Sequence, residues 1–182
     1  MPMQAARRAL VDYGRRLAAG GYVVGADGNL SVRDGDGILI TPSRVPYERL
    51  APELVASIDL SGLGDESRSS EWAVHCAIYR ARPDVMAIVH AHPVYACVLA
   101  VRREGLEALL DEVAPVLGGP VPVAQYAPSG SAELGPLAVA ALGPRHAVIL
   151  ANHGTVTVGA DLEEAFYRLE VLERAAHVQV LR

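Results

Sequence analysis

An α/β fold is predicted for this chain by three features: amphipathic helical segments at both ends, short β-branched runs between them, and an early hairpin signal. From Gln4 to Ala19 the apolar positions Ala6, Leu10, Tyr13 and Leu17 recur at helical spacing. Arg7, Arg8, Arg15 and Arg16 mark the solvent face of that helix, and Gly20 and Gly21 end it. Leu162 to Leu181 forms a second long amphipathic helix, begun by Asp161, Glu163 and Glu164 near its positive end. The hairpin signal is GADGNLSVRDGDGILITPS, two strand-like runs around the turn-rich DGDG, with Asn29 and Ser43 at its two ends.

The elements between follow in order. Leu54 to Leu60 reads as a strand, and SGLGDESRSS is the loop that leads into a helix from Ser70 to Arg82. That helix opens on serines able to cap it and stops before Pro83, which puts Glu71 in its first turn, facing the positive end of the helix dipole. VMAIVH, set between Pro83 and Pro93, is rich in β-branched and apolar residues and reads as a buried strand. Val94 to Arg103 is expected to be helical, as is LEALLDEV at 106–113, where GGP then breaks the run. VPVAQY is expected as a strand, Ser131 to Leu142 as an Ala/Leu helix, and Ala147 to Ala151 as a short apolar run. NHGTVTVG places His153 just past that run, before a strand with alternating Val156 and Val158.

Composition narrows the function. With 182 residues, 51% of them hydrophobic, the chain supports one well-cored domain spanning 1–182. A net charge of −5 and a pI near 5.6 provide no basic stripe for nucleic acid or an anionic membrane, so the expected partner is a small molecule. All 16 basic residues are arginine, so a lysine Schiff base and pyridoxal chemistry are both excluded. Cys76 and Cys97 lack the paired spacing of a disulfide framework or zinc motif and read as apolar fillers. No run approaches the roughly 18 apolar residues of a membrane span, and no long apolar segment follows the N-terminal charges; a cytoplasmic protein is expected.

The densest group of chemically capable residues runs from Ser69 to Pro93. His90 and His92 are two residues apart on a strand, so both leave one face, with Cα atoms roughly 6.6 Å apart. HxH alone describes many hydrogen-bonded core histidines; joined to SSE upstream and to the isolated His153 downstream it is a far stronger sign of a metal site. Three neutral imidazoles with an open fourth position suit a catalytic zinc site, with manganese, cobalt or iron as alternatives. A cation so held can bind a carbonyl oxygen and a neighbouring hydroxyl oxygen and stabilise an enediolate, with Glu71 as the proton carrier. The GN, TPS and SSE loops, carrying Asn29, Ser43, Ser69 and Ser70, fit ordinary turn chemistry or an anion pocket. His75, His146, His177 and Trp72 are read as packing residues, although His75, one turn beyond Glu71, is placed to orient it.

The blocks SSEW, HxH and NHG, in this order, resemble the class II aldolase/adducin family, and its fuculose-phosphate aldolase branch in particular, from about Ala9 to Leu172. The resemblance implies a three-layer α/β/α fold around a mainly antiparallel sheet, assembled as a homotetramer with sites between subunits. It implies one zinc or other divalent ion per subunit on His90, His92 and His153, and a substrate phosphate held by Asn29, Ser43, Ser69 and Ser70. The implied reaction is reversible cleavage of a ketose 1-phosphate, through a metal-stabilised enediolate, to dihydroxyacetone phosphate and an aldehyde, with Glu71 as the proton carrier.

Three departures from the family pattern stand out. Arg44 occupies a position that usually carries glycine; its guanidinium either offers donors to a phosphate or carboxylate or points into solvent. Where family members often supply a tyrosine from the neighbouring subunit as a second proton carrier, this chain has Glu112, with Asp111 beside it. The sequence also stops at Arg182, before the tail of the fuculose enzyme. Relatives of this fold epimerise pentulose phosphates, dehydrate methylthioribulose phosphate or decarboxylate sugar-acid phosphates. The adducin head is a non-catalytic module that has lost the ligands, which His90, His92, His153 and Glu71 retain here.

Overall fold

A computed structural model describes residues 3–182. Its helices are α1 (Met3–Ala19), α2 (Trp72–Ala81), α3 (Val94–Arg102), α4 (Val113–Leu117), α5 (Leu134–Leu142) and α6 (Leu162–Leu181). The strands are β1 (Asn29–Asp34), β2 (Gly37–Ile40), β3 (Ala56–Asp59), β4 (Ala87–Ala91), β5 (Val123–Ala124), β6 (Ala147–Leu150) and β7 (Gly154–Gly159). They form one sheet in the order β3-β2-β1-β4-β7-β6-β5, in which the β5–β6 pair is parallel and every other pair antiparallel.

Alternation along the strands sorts side chains to the two faces. Leu30, Leu39, Ala87, Val89 and Ala91 pack with α1 and the first half of α6 through Leu10, Leu17, Phe166 and Leu169. Residues of opposite parity, among them Ile38, Ile40, Ile88, Val156 and Val158, pack with α2 and α5 through Val74, Ile78, Leu134 and Ala138. A third cluster joins α3 and α4 to Ala147, Ile149 and the second half of α6. Helices therefore cover both faces, giving the expected three-layer α/β/α arrangement. Each fully buried side chain of the size of Ile88 or Leu10 contributes about 1.5–3 kcal/mol of hydrophobic stabilisation. Strand β4 lies at the centre and is buried at every position.

Two ends are held by side chains. Asp161 caps α6, its Oδ1 accepting from Glu164 N at 2.8 Å. Glu173 of α6 accepts from Tyr95 N and Ala96 N of α3 at 2.9 Å each, tying the two helices together.

Several boundaries differ from the sequence expectation. The 106–113 segment is not a helix. Leu106 exchanges backbone hydrogen bonds with Val121 at 2.9 Å, and Glu107 N donates to Gln179 Oε1 at 2.7 Å, so tertiary pairing overrides local propensity and the short α4 begins only at Val113. VPVAQY contributes only the two-residue β5, and the Leu54–Leu60 strand shortens to β3. Helix α2 starts at Trp72, which makes Glu71 its capping residue rather than part of its first turn. Among the described residues no helix is long and apolar enough to cross a membrane.

Candidate metal centre

The site forms where the central strand meets the start of α2. His90 lies on β4 with the parity of Ile88, and so faces α2. His92 follows just beyond the strand and turns to the same side, its Nε2 lying 3.1 Å from that of His90. His153 enters from the turn between β6 and β7, after Asn152, whose φ of 56° is left-handed. Glu71 completes the group: its Oε2 lies 2.8 Å from His90 Nε2 and its Oε1 3.3 Å from His153 Nε2. One donor atom from each of these four residues falls within 4.8 Å of the others.

Two glycines make the approach possible. At Gly154 a Cβ would sit 2.4 Å from His92 Cδ2 and 2.6 Å from the Ala91 carbonyl oxygen. At Gly28, with φ +69°, a Cβ would sit 2.6 Å from the His90 carbonyl oxygen. The HG and GN pairs of the sequence are therefore requirements of close backbone packing around the histidines.

The electrostatics suit a cation. His90 Nδ1 donates to the Thr155 carbonyl at 2.9 Å, which fixes the ring and turns Nε2 inward. Burial alone would lower the pKa of His90, but the Glu71 carboxylate and the Thr155 carbonyl outweigh it and raise it. Burial, followed by the charge of His90, pushes His92 down to about 3 and His153 down to about 4, so both rings are neutral. Burial opposes ionisation of Glu71, yet the His90 and His153 imidazoles and the Ser129 hydroxyl hold it well below the usual carboxylate range. Three imidazole nitrogens meeting one carboxylate, with no sulfur among them, fit a hard or borderline divalent ion.

A pocket of about 140 Å³ adjoins this cluster, and Asn29, Ser43, Arg44, Ser69 and Ser70 all line it. Asn29 Nδ2 donates to Glu71 Oε2 at 3.3 Å, leaving its second N–H free for another acceptor. Ser69 Oγ accepts from Glu71 N at 3.2 Å, so this serine sets the start of α2. The TPS and SSE loops are bonded to each other through Ser69 N to the Thr41 carbonyl at 3.2 Å. Arg44 has φ 62°, the left-handed conformation that glycine adopts freely and other residues hold at about 1–2 kcal/mol. A glycine at this position would have a backbone reason, and the arginine is exposed on the pocket rim in a left-handed conformation.

Ser129 was not foreseen as part of the site, and His75 was expected chiefly to pack. Ser129, in an exposed loop, donates to Glu71 Oε1 at 2.9 Å; a lone serine in a turn carries no sequence signal. His75, read as a packing residue, is buried and hydrogen-bonded to Asn29. Glu112 does not line the pocket of its own chain; it begins α4, 3.8 Å from Arg174.

A three-layer domain with an imidazole–carboxylate cluster of this kind defines a metal-dependent enzyme. Residues 8–180 match the family described as Class II Aldolase and Adducin N-terminal domain. L-fuculose phosphate aldolase of Escherichia coli is 35% identical over 173 residues, covering 94% of this chain and 80% of the relative. The 5-methylthioribulose-1-phosphate/5-deoxyribulose-1-phosphate aldolase of Rhodospirillum rubrum is 40% identical over 163 residues, covering 88% of this chain and 74% of the relative. The crystal structure of L-fuculose-1-phosphate aldolase from Thermus thermophilus superposes with a TM-score of 0.88 at 34% identity, covering 98% of this chain and 95% of that one. The chain belongs to the class II aldolase and adducin family, and it is a class II, metal-dependent aldolase.

Proposed function

We propose that the protein reversibly cleaves a ketose 1-phosphate to dihydroxyacetone phosphate and an aldehyde, as a zinc-dependent cytoplasmic homotetramer with sites between subunits. The observation that carries this reading is the adjacency of the imidazole cluster and Glu71 to a pocket lined with oxyanion donors. The names of the relatives, aldolases of fuculose phosphate and methylthioribulose 1-phosphate, support a phosphorylated ketose as substrate.

His90, His92 and His153 would hold the ion, and an ion held there supplies Lewis acidity toward a carbonyl oxygen. Glu71, ionised and fixed from both oxygens, returns a proton to the hydroxymethyl carbon after cleavage and removes it in the reverse direction. Asn29, Ser43, Ser69 and Ser70 offer amide, hydroxyl and backbone donors to the phosphate, and Arg44 adds a charge-assisted one. Glu112, on the pocket of a neighbouring subunit, would exchange the proton of the hydroxyl across the breaking bond. Exposed Val94 and Val101, seven residues apart on one face of α3, support self-association. The two free cysteines agree with a reducing compartment.

The test is turnover by the zinc-loaded protein of L-fuculose 1-phosphate and 5-deoxyribulose 1-phosphate, each paired with its unphosphorylated ketose. Aldehyde release from the phosphorylated member alone is expected. Equal rates on both members would refute the phosphate pocket. An isomer, or carbon dioxide from a sugar-acid phosphate, as the product would replace cleavage with epimerisation or decarboxylation.

A further inference from the structure

Behind the pocket a second polar array threads the core between α2 and β1. Tyr79 Oη lies 2.9 Å from Ser31 Oγ, and Ser31 Oγ lies 2.6 Å from His75 Nδ1. His75 Nε2 is bonded to Asn29 Oδ1, and Asn29 Nδ2 to Glu71 Oε2 at 3.3 Å. None of the five residues is more than 6% exposed. Two periodicities create the array. Glu71, at the residue that opens α2, and His75 and Tyr79 along it recur every four residues on one face, a rise of about 6 Å per step. Asn29 and Ser31 recur every two residues along one face of β1, about 6.6–6.8 Å per step. The two rows nearly match, so helix and strand side chains alternate: Glu71, Asn29, His75, Ser31, Tyr79.

The direction of every proton follows from the carboxylate. An ionised Glu71 only accepts, so Asn29 presents its nitrogen to it and its oxygen to His75. That oxygen needs a donor, so His75 carries its proton on Nε2. Bare Nδ1 then accepts from the Ser31 hydroxyl, whose oxygen accepts from Tyr79. Burial, then the charge of His90, pushes His75 down to about 3, in keeping with a neutral ring of one tautomer. An array of this kind adds little to stability, because well-packed apolar residues in the same volume do as well or better.

We propose that His75 is a positioning residue for proton transfer: through Asn29 it sets the orientation of the Glu71 carboxylate from the core side, backed by Ser31 and Tyr79. The proposal rests on the reading of Glu71 as the proton carrier. His75 itself touches neither the substrate pocket nor the imidazole cluster.

The experiment follows exchange of the hydroxymethyl proton of dihydroxyacetone phosphate into heavy water by NMR, which needs no aldehyde and so no knowledge of the natural ketose. His75→Gln keeps a donor near the Nε2 position, whereas His75→Asn keeps only a group near Nδ1. His75→Asn should lower the maximal exchange rate by about tenfold to a hundredfold, as outer-layer partners of active-site groups do, with KM and zinc content near those of the parent. His75→Gln should recover most of that loss. Ser31→Ala, a small change that is expected to fold if His75→Asn does not, should lower the rate severalfold. Maximal rates near the parent value in folded His75→Asn and Ser31→Ala, with Glu71→Gln inactive, would overturn the positioning role alone. Equal losses in His75→Asn and His75→Gln would also overturn it, by showing general disruption. Normal exchange in Glu71→Gln would remove the reading beneath it.

Discussion

Glu71 and Asn29, on the floor of the pocket, and His75 and His90 behind it are at most 6% exposed and are hydrogen-bonded to one another, while Ser70 and Arg44, at the rim, are exposed on turns. The floor is borne by β1, β4 and the start of α2, and a shift of any of its groups would leave a buried polar atom without a partner. The rim is borne by loops, where a side chain is exchanged at little cost to the core. The difference teaches that the groups proposed for the chemistry are held rigidly by the sheet, while those proposed for the substrate phosphate sit on exchangeable loops. Variants at floor and rim should accordingly fail in different ways.

The largest effect is expected from replacing His90, His92 and His153 together by alanine. Zinc bound at one ion per chain should disappear by elemental analysis, and activity with it; undiminished stoichiometric zinc would show that the ion sits elsewhere. Next comes Glu71→Gln, which should retain zinc and substrate affinity while turnover falls by roughly 10²- to 10⁴-fold. Near-normal turnover would reduce Glu71 to a structural partner of its neighbours.

At the rim, Arg44→Gly should raise KM for a phosphorylated substrate by about tenfold, the worth of one charge-assisted hydrogen bond, and lower kcat by less. The same change relieves a left-handed backbone, so the protein should gain about 1 kcal/mol in denaturant unfolding. A lower stability would mean that the guanidinium is anchored by the protein itself. The smallest effect concerns pH. The folded pKa of His75, about 3, lies below its ordinary value of 6.5, so the unfolded chain binds more protons between these limits. Its contribution to stability is present above pH 6.5 and is lost as pH falls toward 3. Comparing zinc-free protein with His75→Gln between pH 7 and 5 should show a shallower loss in the variant, by less than about 1.4 kcal/mol per pH unit. His92 and His153 have the same sign but are common to both proteins, and Arg44→Gly should leave the slope unchanged. Parallel slopes for parent and His75→Gln would place a proton on buried His75 and break the assigned directions of the array.

Much of the floor was legible in the sequence because it follows strict periods. His90 and His92 share a strand parity, whereas the close backbone contacts of Gly28 and Gly154 with the histidines came only from the structure. The one-turn spacing of Glu71 and His75 suggested that His75 could orient Glu71, but the route through Asn29, Ser31 and Tyr79 was not visible, because it depends on residues distant in sequence. Ser129 and the 106–113 segment show the same limit. The serine acquires its role from a loop brought to Glu71, and the leucine-rich segment loses its helix to pairing with Val121 and Gln179. The offset of Glu71 by one position came from Ser69, whose hydroxyl takes the Glu71 N–H and delays the helix.

The strand order also bears on how the chain is made. As the polypeptide is synthesised, β1 covers one edge of β4 early, but the other edge has no partner until β7 emerges, and β6 and β5 then lie outside β7. The wholly apolar flank of Ala87–Val89 is thus an open, sticky edge for the length of chain from Ala91 to Gly154, the interval in which a nascent chain is most exposed to aggregation and to chaperones. His153 stands immediately before β7, so the insertion that closes this edge also delivers the third imidazole. Closure of the sheet edge and completion of the imidazole cluster therefore arrive in the same step of folding, and a chain ending before His153 has neither.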